Sequence, residues 1–309
     1  MKSILKIEHR GAGNTQRPPQ IAKWLWDGMI REGGPSMLAG YGESGKGILA
    51  MMLALSTAAG RTLYDRKVNG GLPGTVLFIS AEDDEEELAA RMYDLTEAMS
   101  IPKSALLNIE LRSTIDMQVA PSLFDKQIHP TGLLSAIKDY CQAHKPALIV
   151  LDTLAAFAPA GVEMQAGSAA ATQYITATTA MLHPATILWP SHLRKPSTGK
   201  GKEGETAARP TIFDVRDSSA LVNSMRSVLI LANQQLSLDK CNGRRRCEKP
   251  ITADTLFTLR WEAAEGCSNG MLNLISAVPM QGGNAIVPLK DRGKKIPIPQ
   301  QGVNDDDNW

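Results

Sequence analysis

Long apolar runs are missing from this chain of 309 residues, and no window approaches the roughly eighteen consecutive apolar residues of a membrane-spanning helix. The first residues include the charged Lys6 and Glu8 before any long apolar core, unlike a secretory signal. We therefore expect a cytoplasmic protein with no membrane partner. An excess of one charge sign is also missing, because the net charge is +1. This balance excludes a protein that coats nucleic acid with its whole surface, so any such binding must come from local clusters of Lys and Arg.

Cysteine and aromatic residues are scarce as well. The cysteines are unevenly spread, and Cys241 and Cys247 lack the short C-x-x-C spacing and nearby histidines of a zinc module. We expect reduced thiols, with a bridge or a metal site at Cys241 and Cys247 as the alternatives. An aromatic content of 5% offers few platforms for stacking bases. Any binding of single-stranded nucleic acid should therefore be mainly electrostatic and indifferent to sequence.

The remaining composition, with 43% hydrophobic and 21% charged residues, is that of one large globular domain. We expect an N-terminal arm at residues 1–30, a main domain at 31–290 and a flexible tail at 291–309. The arm contains the apolar-aromatic stretch IAKWLWDGMI, which fits a short helix. The tail ends in DDDNW, an acidic-aromatic tip that is either a solvated end or a site that recruits a partner.

Short apolar runs alternate with helical patterns along most of the chain. Six runs are typical of buried strands: Ser36–Gly40, Thr75–Asp83, Asn108–Ser113, Ala147–Thr153, Thr186–His192 and Ser227–Asn233. The windows between them predict helices at Ile48–Ala59, Glu85–Met99, Gly132–His144 and Ala169–Leu182. This alternation predicts an α/β fold with a mostly parallel central sheet flanked by helices. Two later runs, TLFTLRW and MLNLISAV, predict an antiparallel extension toward the C-terminus.

A phosphate-binding pattern lies between an apolar strand and an apolar helix. The stretch AGYGESGKGIL places Gly40, Gly45 and Lys46 in the pattern G-x-x-x-x-G-K. In that order, backbone N–H groups and a helix N-terminus point toward phosphate, although a glycine-rich turn that merely closes a βα unit has the same pattern. We predict a nucleotide site in which Lys46 binds phosphate. The predicted binding segment consists of Gly40, Gly42, Glu43, Ser44, Gly45, Lys46, Gly47 and Ile48.

The next position departs from the pattern, because Gly47 stands where Ser or Thr normally holds a magnesium ion. Either a water fills that coordination position or metal binding is weaker than usual. Ser44 and Thr153 are candidate substitutes, and the sequence does not rank them. We expect ATP and Mg²⁺ as ligands, with metal binding as the weakest part of the site.

Two acidic residues end predicted strands and complete the candidate site. Asp152 follows the apolar run ALIVL, at the edge where parallel strands meet a nucleotide, and is predicted to bind the metal or its waters. A simple turn cap is the alternative for Asp152. Glu82 follows the strand VLFIS, and we assign it the task of polarising the attacking water. The acidic run after Glu82 is explained by the dipole of the helix that follows.

The order of GYGESGKG, VLFISAED, ARM, LIVLDT, ILWPSH and VRDSSALVNSMR resembles the RecA-like hexameric helicases of the RepA type, which serve replication of plasmids and mobile elements. The resemblance covers about residues 30–235. It implies a RecA-like P-loop ATPase core and a homo-oligomeric, hexameric ring. It also implies a replication initiator or primase as a partner, Glu82 as catalytic base and Asp152 as the metal-associated carboxylate.

The same resemblance implies a sensor of the γ-phosphate and two arginines that act across a subunit interface. The sensor segment matches Ser191 and His192, and the arginines match Arg91 and Arg216. Arg226 is a weaker third candidate. A cation from a neighbour meets the charge on the transferred phosphoryl group and makes hydrolysis depend on assembly. A surface salt bridge is the alternative for each arginine.

Basic residues follow the sensor strand in LRKPSTGKGKEGETAARP, which contains five Lys or Arg against two Glu. In RecA-like rings, loops at this place line the central channel. We therefore expect single-stranded DNA to contact Arg194, Lys195, Lys200 and Lys202. A solvated loop is the alternative. The loop APAGVEMQAGSA and the basic turn at Arg244–Arg246 are further candidates for DNA contact.

These features predict an ATP-dependent DNA helicase or translocase that acts on single-stranded DNA. One rival is a RecA-like ATPase in recombination or signalling. The other is an ATP-binding, DNA-associated assembly module in which Gly47 makes hydrolysis weak or absent. The fold is the same in all three cases, so the fold alone does not choose among them.

Overall fold

The computed structural model describes residues 23–42, 44–159, 169–194, 210–215, 219–232, 235–241, 257–263 and 272–279. Its strands are β1 (Trp24–Trp26), β2 (Ile30–Arg31), β3 (Pro35–Gly40), β4 (Thr62–Leu63), β5 (Arg66–Lys67), β6 (Val76–Ser80), β7 (Ile109–Ser113), β8 (Leu148–Asp152), β9 (Thr186–His192), β10 (Ser227–Ala232), β11 (Gln235–Cys241), β12 (Phe257–Ala263) and β13 (Leu272–Pro279). Its α-helices are α1 (Lys46–Ala59), α2 (Glu85–Ala98), α3 (Gly132–His144), α4 (Leu154–Phe157), α5 (Ala169–Leu182) and α6 (Ser219–Ser224).

A 9-stranded sheet runs through the domain in the order β13-β12-β11-β10-β3-β9-β8-β6-β7. The strands from β10 to β7 in this order pair in parallel. The strands β11, β12 and β13 extend the sheet with antiparallel pairs. The predicted fold class, a mostly parallel sheet flanked by helices with an antiparallel extension, is confirmed.

The central strands are buried on both faces, which explains why they are continuous apolar runs in the sequence. All residues of β3 are buried. Leu38 belongs to a cluster of buried residues that includes most of α1, whereas Met37 and Ala39 belong to a second cluster that includes Tyr174 of α5. Because side chains alternate across a strand, β3 joins the two halves of the core.

The stretch IAKWLWDGMI contains a β-hairpin, so the predicted short helix is wrong for its described part. Trp24 pairs with Arg31, and Trp26 pairs with Ile30. Gly28 has a φ of 69°, which glycine adopts without strain, and the Asp-Gly dipeptide favours a tight turn over a continuing helix. Trp26 is 1% exposed. The hairpin thus packs into the core, while the boundary at residue 30 stays a prediction.

The register of the parallel strands brings polar strand ends to one edge of the sheet. Gly40 at the end of β3 pairs with His192 at the end of β9. Ser80 at the end of β6 pairs with Asp152 on one side and with Ser113 on the other. Ligands of open parallel sheets bind at this edge. The topology therefore places the phosphate loop and both predicted carboxylates together.

Cys141 has a free thiol, and burial raises the pKa of this thiol to about 11. Several other predictions fall on parts of the chain that are not described. Cys247, Cys267, the turn at Arg244–Arg246 and the tail at 291–309 lie outside the described residues.

Within the described ranges, no group of three or more metal-ligating side chains is present. No helix in those same ranges is both long and apolar enough to cross a membrane.

Candidate nucleotide-binding site

The phosphate loop connects β3 to α1 and depends on two of its glycines. Gly45, the residue before α1, has a φ of 86°, a left-handed conformation that favours glycine. A Cβ atom on Gly40 would collide with Oγ of Ser44 and lie 2.7 Å from the carbonyl oxygen of Leu231. No side chain of the described residues caps the N-terminus of α1. The first N–H groups of the helix are therefore left to a ligand such as phosphate.

Lys46 is the first residue of α1 and is only 7% exposed. Its Nζ donates a hydrogen bond to the carbonyl oxygen of Tyr41, at 2.7 Å, within the same loop. Burial lowers the pKa of Lys46, and the carboxylates of Asp152 and Glu82 oppose that change. The ammonium group thus lies among backbone and acidic groups at the sheet edge, where a phosphate would be its natural counter-ion.

Asp152 ends β8 and is 8% exposed. Burial raises the pKa of its carboxyl group to about 7, nearby Glu82 adds to the rise, and Lys46 opposes it. Near neutral pH this carboxyl group is therefore poised between its neutral and ionised forms. A bound cation would favour the ionised form, which is the form that binds Mg²⁺.

Glu82 contacts residues at the ends of two strands, β8 and β9, that lie on one side of β6 in the sheet. Its Oε1 accepts a hydrogen bond from the hydroxyl of Thr153, at 3.1 Å. The same oxygen lies 3.7 Å from Nε2 of His192. Ser191, the other residue of the predicted sensor segment, is buried, and the sensor role of either residue stays a prediction. One carboxylate oxygen thus connects the end of β8 with the end of β9.

The turn after β6 fixes the backbone of Glu82. The hydroxyl oxygen of Ser80 accepts hydrogen bonds from the N–H groups of Glu82 and Asp83, at 3.1 and 3.0 Å. The side chain of Asp84 then caps α2 by accepting from the N–H group of Glu87. Sequence reasoning missed the role of Ser80. A serine two and three residues before amide donors is nevertheless a readable signal of such a turn.

The contacts of Arg91 lie within its own chain. Its guanidinium group pairs with Asp83 at 2.7 Å and with Glu87 at 3.0 Å. The spacing of Glu87 and Arg91 is that of an i,i+4 pair on a helix, which the sequence shows directly. The predicted action of Arg91 on a neighbouring subunit is not tested by these contacts and stays a prediction.

Gly47 lies beside Asp152 with room for a larger residue. A Cβ atom on Gly47 would lie 3.6 Å from Oδ2 of Asp152, an ordinary van der Waals distance, and would meet no other atom within 4 Å among the described residues beyond its chain neighbours and the backbone of α1. The donors that fit Mg²⁺ here are oxygens, as this ion prefers, with the carboxylate of Asp152 foremost. The hydroxyl of Thr153 donates a hydrogen bond to Glu82. Thr153 therefore orients this carboxylate, in addition to being a candidate metal ligand.

The substitution Gly47→Ser is expected to lower the Mg²⁺ concentration that gives half-maximal ATP turnover about tenfold, which corresponds to ~1.4 kcal/mol. The physical reason is an added hydroxyl ligand beside Asp152, at a place where its Cβ meets no close contact. Calorimetric titration of the ADP-bound protein with Mg²⁺ checks the same change without turnover. Gly132→Ser, also in open space, is the matched control. An unchanged or weaker response to Mg²⁺ would contradict the prediction.

The remaining predicted residues are only partly visible. Gly42 and Ser44 lie in the phosphate loop, and Ile48 lies in the first turn of α1. Arg194 follows β9 with an exposed side chain, and its backbone N–H group donates to the carbonyl oxygen of Asp214 at 2.8 Å. The predicted residues outside the described part of the chain are Glu43, Lys195, Lys200, Lys202 and Arg216.

The binding of phosphate by a loop and a helix N-terminus, next to strand-end carboxylates, is the arrangement of P-loop ATPases. The mostly parallel sheet is the α/β core that the sequence predicts for such an ATPase. The family comparison makes the assignment more specific, because the sequence profile of an AAA domain family matches residues 3–198. This match covers more than half of the chain, and the chain belongs to that family.

Other comparisons add little to this assignment. Among solved structures, a KaiC-like protein from the hyperthermophilic archaeon Pyrococcus horikoshii is similar, with a TM-score of 0.45 and 14% sequence identity. The similarity covers 76% of this chain and 89% of that chain. No curated protein matches the sequence.

Proposed function

We propose that this chain is an ATP-hydrolysing motor that moves on single-stranded DNA, as a helicase or translocase in the replication of a plasmid or mobile element. The observation that carries the proposal is the contact of 3.7 Å between Glu82 and His192. This contact links the candidate base for hydrolysis to β9, the strand that leads directly into the basic segment beginning at Arg194. A change at the nucleotide would therefore reach the segment predicted to hold DNA.

Each residue of the site has one task in this proposal. Lys46 and the N–H groups at the start of α1 bind the phosphates of ATP. Glu82, oriented by the hydroxyl of Thr153, polarises the attacking water. Asp152 would hold Mg²⁺, and the bound ion supplies positive charge that balances the phosphate oxygens. His192 responds to the position of Glu82 and moves the basic segment.

The proposal includes a homo-oligomeric ring of six subunits in the cytoplasm. The resemblance to RepA-type helicases supports this part, and so does the need for a cation at the transferred phosphoryl group. Arg91 and Arg216 are the candidates that the resemblance implies for this cation from a neighbouring subunit. A replication initiator or primase would be the partner that brings the ring to DNA.

Replacing three lysines of the basic segment tests whether it contacts DNA. The triple variant Lys195→Ala, Lys200→Ala, Lys202→Ala is expected to bind a fluorescent single-stranded oligonucleotide at least ~10-fold more weakly and with a smaller dependence on salt, because three phosphate contacts are lost. The control removes three exposed lysines elsewhere, with Lys23→Ala, Lys67→Ala and Lys126→Ala. An equal loss in both variants would show only nonspecific attraction and contradict the proposal.

A second candidate function is an assembly module that binds ATP without efficient hydrolysis. The specific observation in its favour is Gly47, which offers no hydroxyl to the metal beside Asp152. Under this alternative, ATP orders an oligomer on DNA and turnover stays absent at every Mg²⁺ concentration. A RecA-like recombination or signalling ATPase, by contrast, would turn over ATP without separating the strands of a duplex.

A further inference from the structure

Two carboxylates of the same subunit hold the guanidinium group of Arg91. Its Nη1 lies 2.7 Å from Oδ2 of Asp83, and its Nε lies 3.0 Å from Oε1 of Glu87. The side chains of Arg91, Asp83 and Glu87 are 33%, 31% and 24% exposed, so water and salt screen these pairs only in part. Both contacts are charge-assisted hydrogen bonds, which are shorter and stronger than neutral ones.

Asp83 directly follows Glu82, and other bonds hold the turn that carries both. Ser80 accepts from the N–H groups of both residues. The hydroxyl of Ser113 donates to the carbonyl oxygen of Asp83, at 2.8 Å. Arg91 adds a bond to the side chain of Asp83. A turn fixed through both backbone and side chain presents the carboxylate of Glu82 to the site in one orientation.

The balance of charge also favours a position for Arg91 inside its own subunit. Glu82, Asp83 and Asp152 interact as a cluster of like charges. Arg91, which pairs with Asp83, brings a positive charge to this cluster. A movement of Arg91 to the nucleotide of a neighbour would remove its cation from this cluster and from Glu87.

We propose that Arg91 is a positioning residue that acts within its own subunit, where it holds Asp83 and thereby orients Glu82. This inference rests on the proposed hydrolysis of ATP at the site. It replaces the role that the family resemblance implies for Arg91, a cation donated to a neighbouring nucleotide. Of the two arginines predicted for that role, Arg216 then remains.

A double-mutant cycle on the full chain tests whether Arg91 acts through Asp83. Arg91→Ala and Asp83→Ala are each expected to lower kcat about 10- to 100-fold, with KM for ATP changed less than about twofold, because Glu82 is misplaced while the phosphate loop stays intact. The kcat of the double variant should be no lower than the kcat of the single variant with the larger loss. Arg91→Lys should recover part of the loss. Full kcat in Asp83→Ala together with a loss in Arg91→Ala would overturn the proposal.

Arg112→Ala is the matched control for this cycle. Arg112 also pairs with two carboxylates of its own chain, Glu85 and Glu110, and is 49% exposed. Its removal should leave kcat within about twofold of the wild type, because its two ion pairs include neither Asp83 nor Glu82. Equal losses in Arg112→Ala and Arg91→Ala would mean that any surface ion pair matters, which contradicts a specific role for Arg91.

A mixing experiment separates the two subunit roles. If Arg91 acted across an interface, a mixture of Arg91→Ala and Lys46→Ala subunits would regain turnover, because one supplies an intact phosphate loop and the other supplies the arginine. We expect no recovery in this mixture and recovery when Arg216→Ala replaces Arg91→Ala. Recovery of turnover with Arg91→Ala would overturn the proposal.

Hydrogen exchange of the nucleotide-free chain tests the positioning role without hydrolysis. The N–H groups of Glu82 and Asp83 should exchange at least about threefold faster in Arg91→Ala, because the turn loses the contact between Arg91 and Asp83. Their exchange rates should be unchanged in Arg112→Ala. Unchanged exchange in Arg91→Ala would overturn the inference, whatever the turnover. A wild-type chain without any turnover would contradict the proposed function alone.

Discussion

Glu82→Gln is expected to lower kcat for ATP by about 10²- to 10⁴-fold, the usual contribution of a general base. Glutamine keeps the size of the side chain and an oxygen that accepts from Thr153, at 3.1 Å in the native chain. It also keeps a polar neighbour for His192. The amide is a far weaker base than the carboxylate, so the water loses its proton acceptor while the site keeps its shape.

Binding and turnover measured together distinguish this effect from damage to the fold. A fluorescent ATP analogue should bind Glu82→Gln within about threefold of wild-type affinity, because Lys46 and the phosphate loop are unchanged. Glu86→Gln, at an exposed position in the first turn of α2, should turn over ATP like the wild type. Wild-type turnover in Glu82→Gln would show that another group activates the water.

Asp152→Asn is expected to stabilise the nucleotide-free chain at pH 8 and, at the same time, to abolish turnover that depends on Mg²⁺. Burial raises the pKa of the Asp152 carboxyl group from 3.8 to about 7 in the folded state. The folded state thus holds a proton that the unfolded state has lost, so folding stability falls as pH rises from about 4 to about 7. Full ionisation costs the folded state about 4 kcal/mol at pH 8, a cost that asparagine does not carry.

Chemical denaturation in EDTA measures this difference directly. The gain in the free energy of unfolding for Asp152→Asn should be small at pH 4 and should grow by at least ~2 kcal/mol between pH 5 and pH 8. Asp139→Asn, at an exposed position of α3, controls for the chemistry of the substitution. A gain that does not depend on pH would contradict the account of Asp152. Mg²⁺ with ADP should stabilise the wild type but not the variant, because the metal needs the carboxylate.

The elements around the site follow from the sequence because their strands are buried on both faces. A continuous apolar run predicted β9, and the helical patterns between such runs predicted α3 and α5, all with the bounds that the structure has. The hairpin of β1 and β2 was missed because its strands are short and an apolar stretch of that length also fits a helix. The strand β11 was missed because its polar residues lack a continuous apolar run.

The site was predictable where a residue ends a strand, as Asp152 and His192 do, or follows a strand end through a short loop, as Glu82 and Lys46 do. Lys46, Glu82, Asp152 and His192 all lie at the edge to which the parallel topology directs them, although their chemical roles stay predictions. The hydrogen bond from Ser113 to the turn after β6 was not predictable, because this hydroxyl reaches Asp83 from a neighbouring strand. Such contacts depend on register, which a single sequence does not specify.

The central claim, a motor driven by ATP, is tested most directly by steady-state ATP turnover with and without single-stranded DNA across a Mg²⁺ titration. The account predicts that the wild type turns over ATP and does so faster with DNA. Lys46→Ala should lose about 100-fold or more, because the phosphates lose their fixed cation. A wild-type chain that binds ATP but shows no turnover at any Mg²⁺ concentration, with or without DNA, would contradict the account.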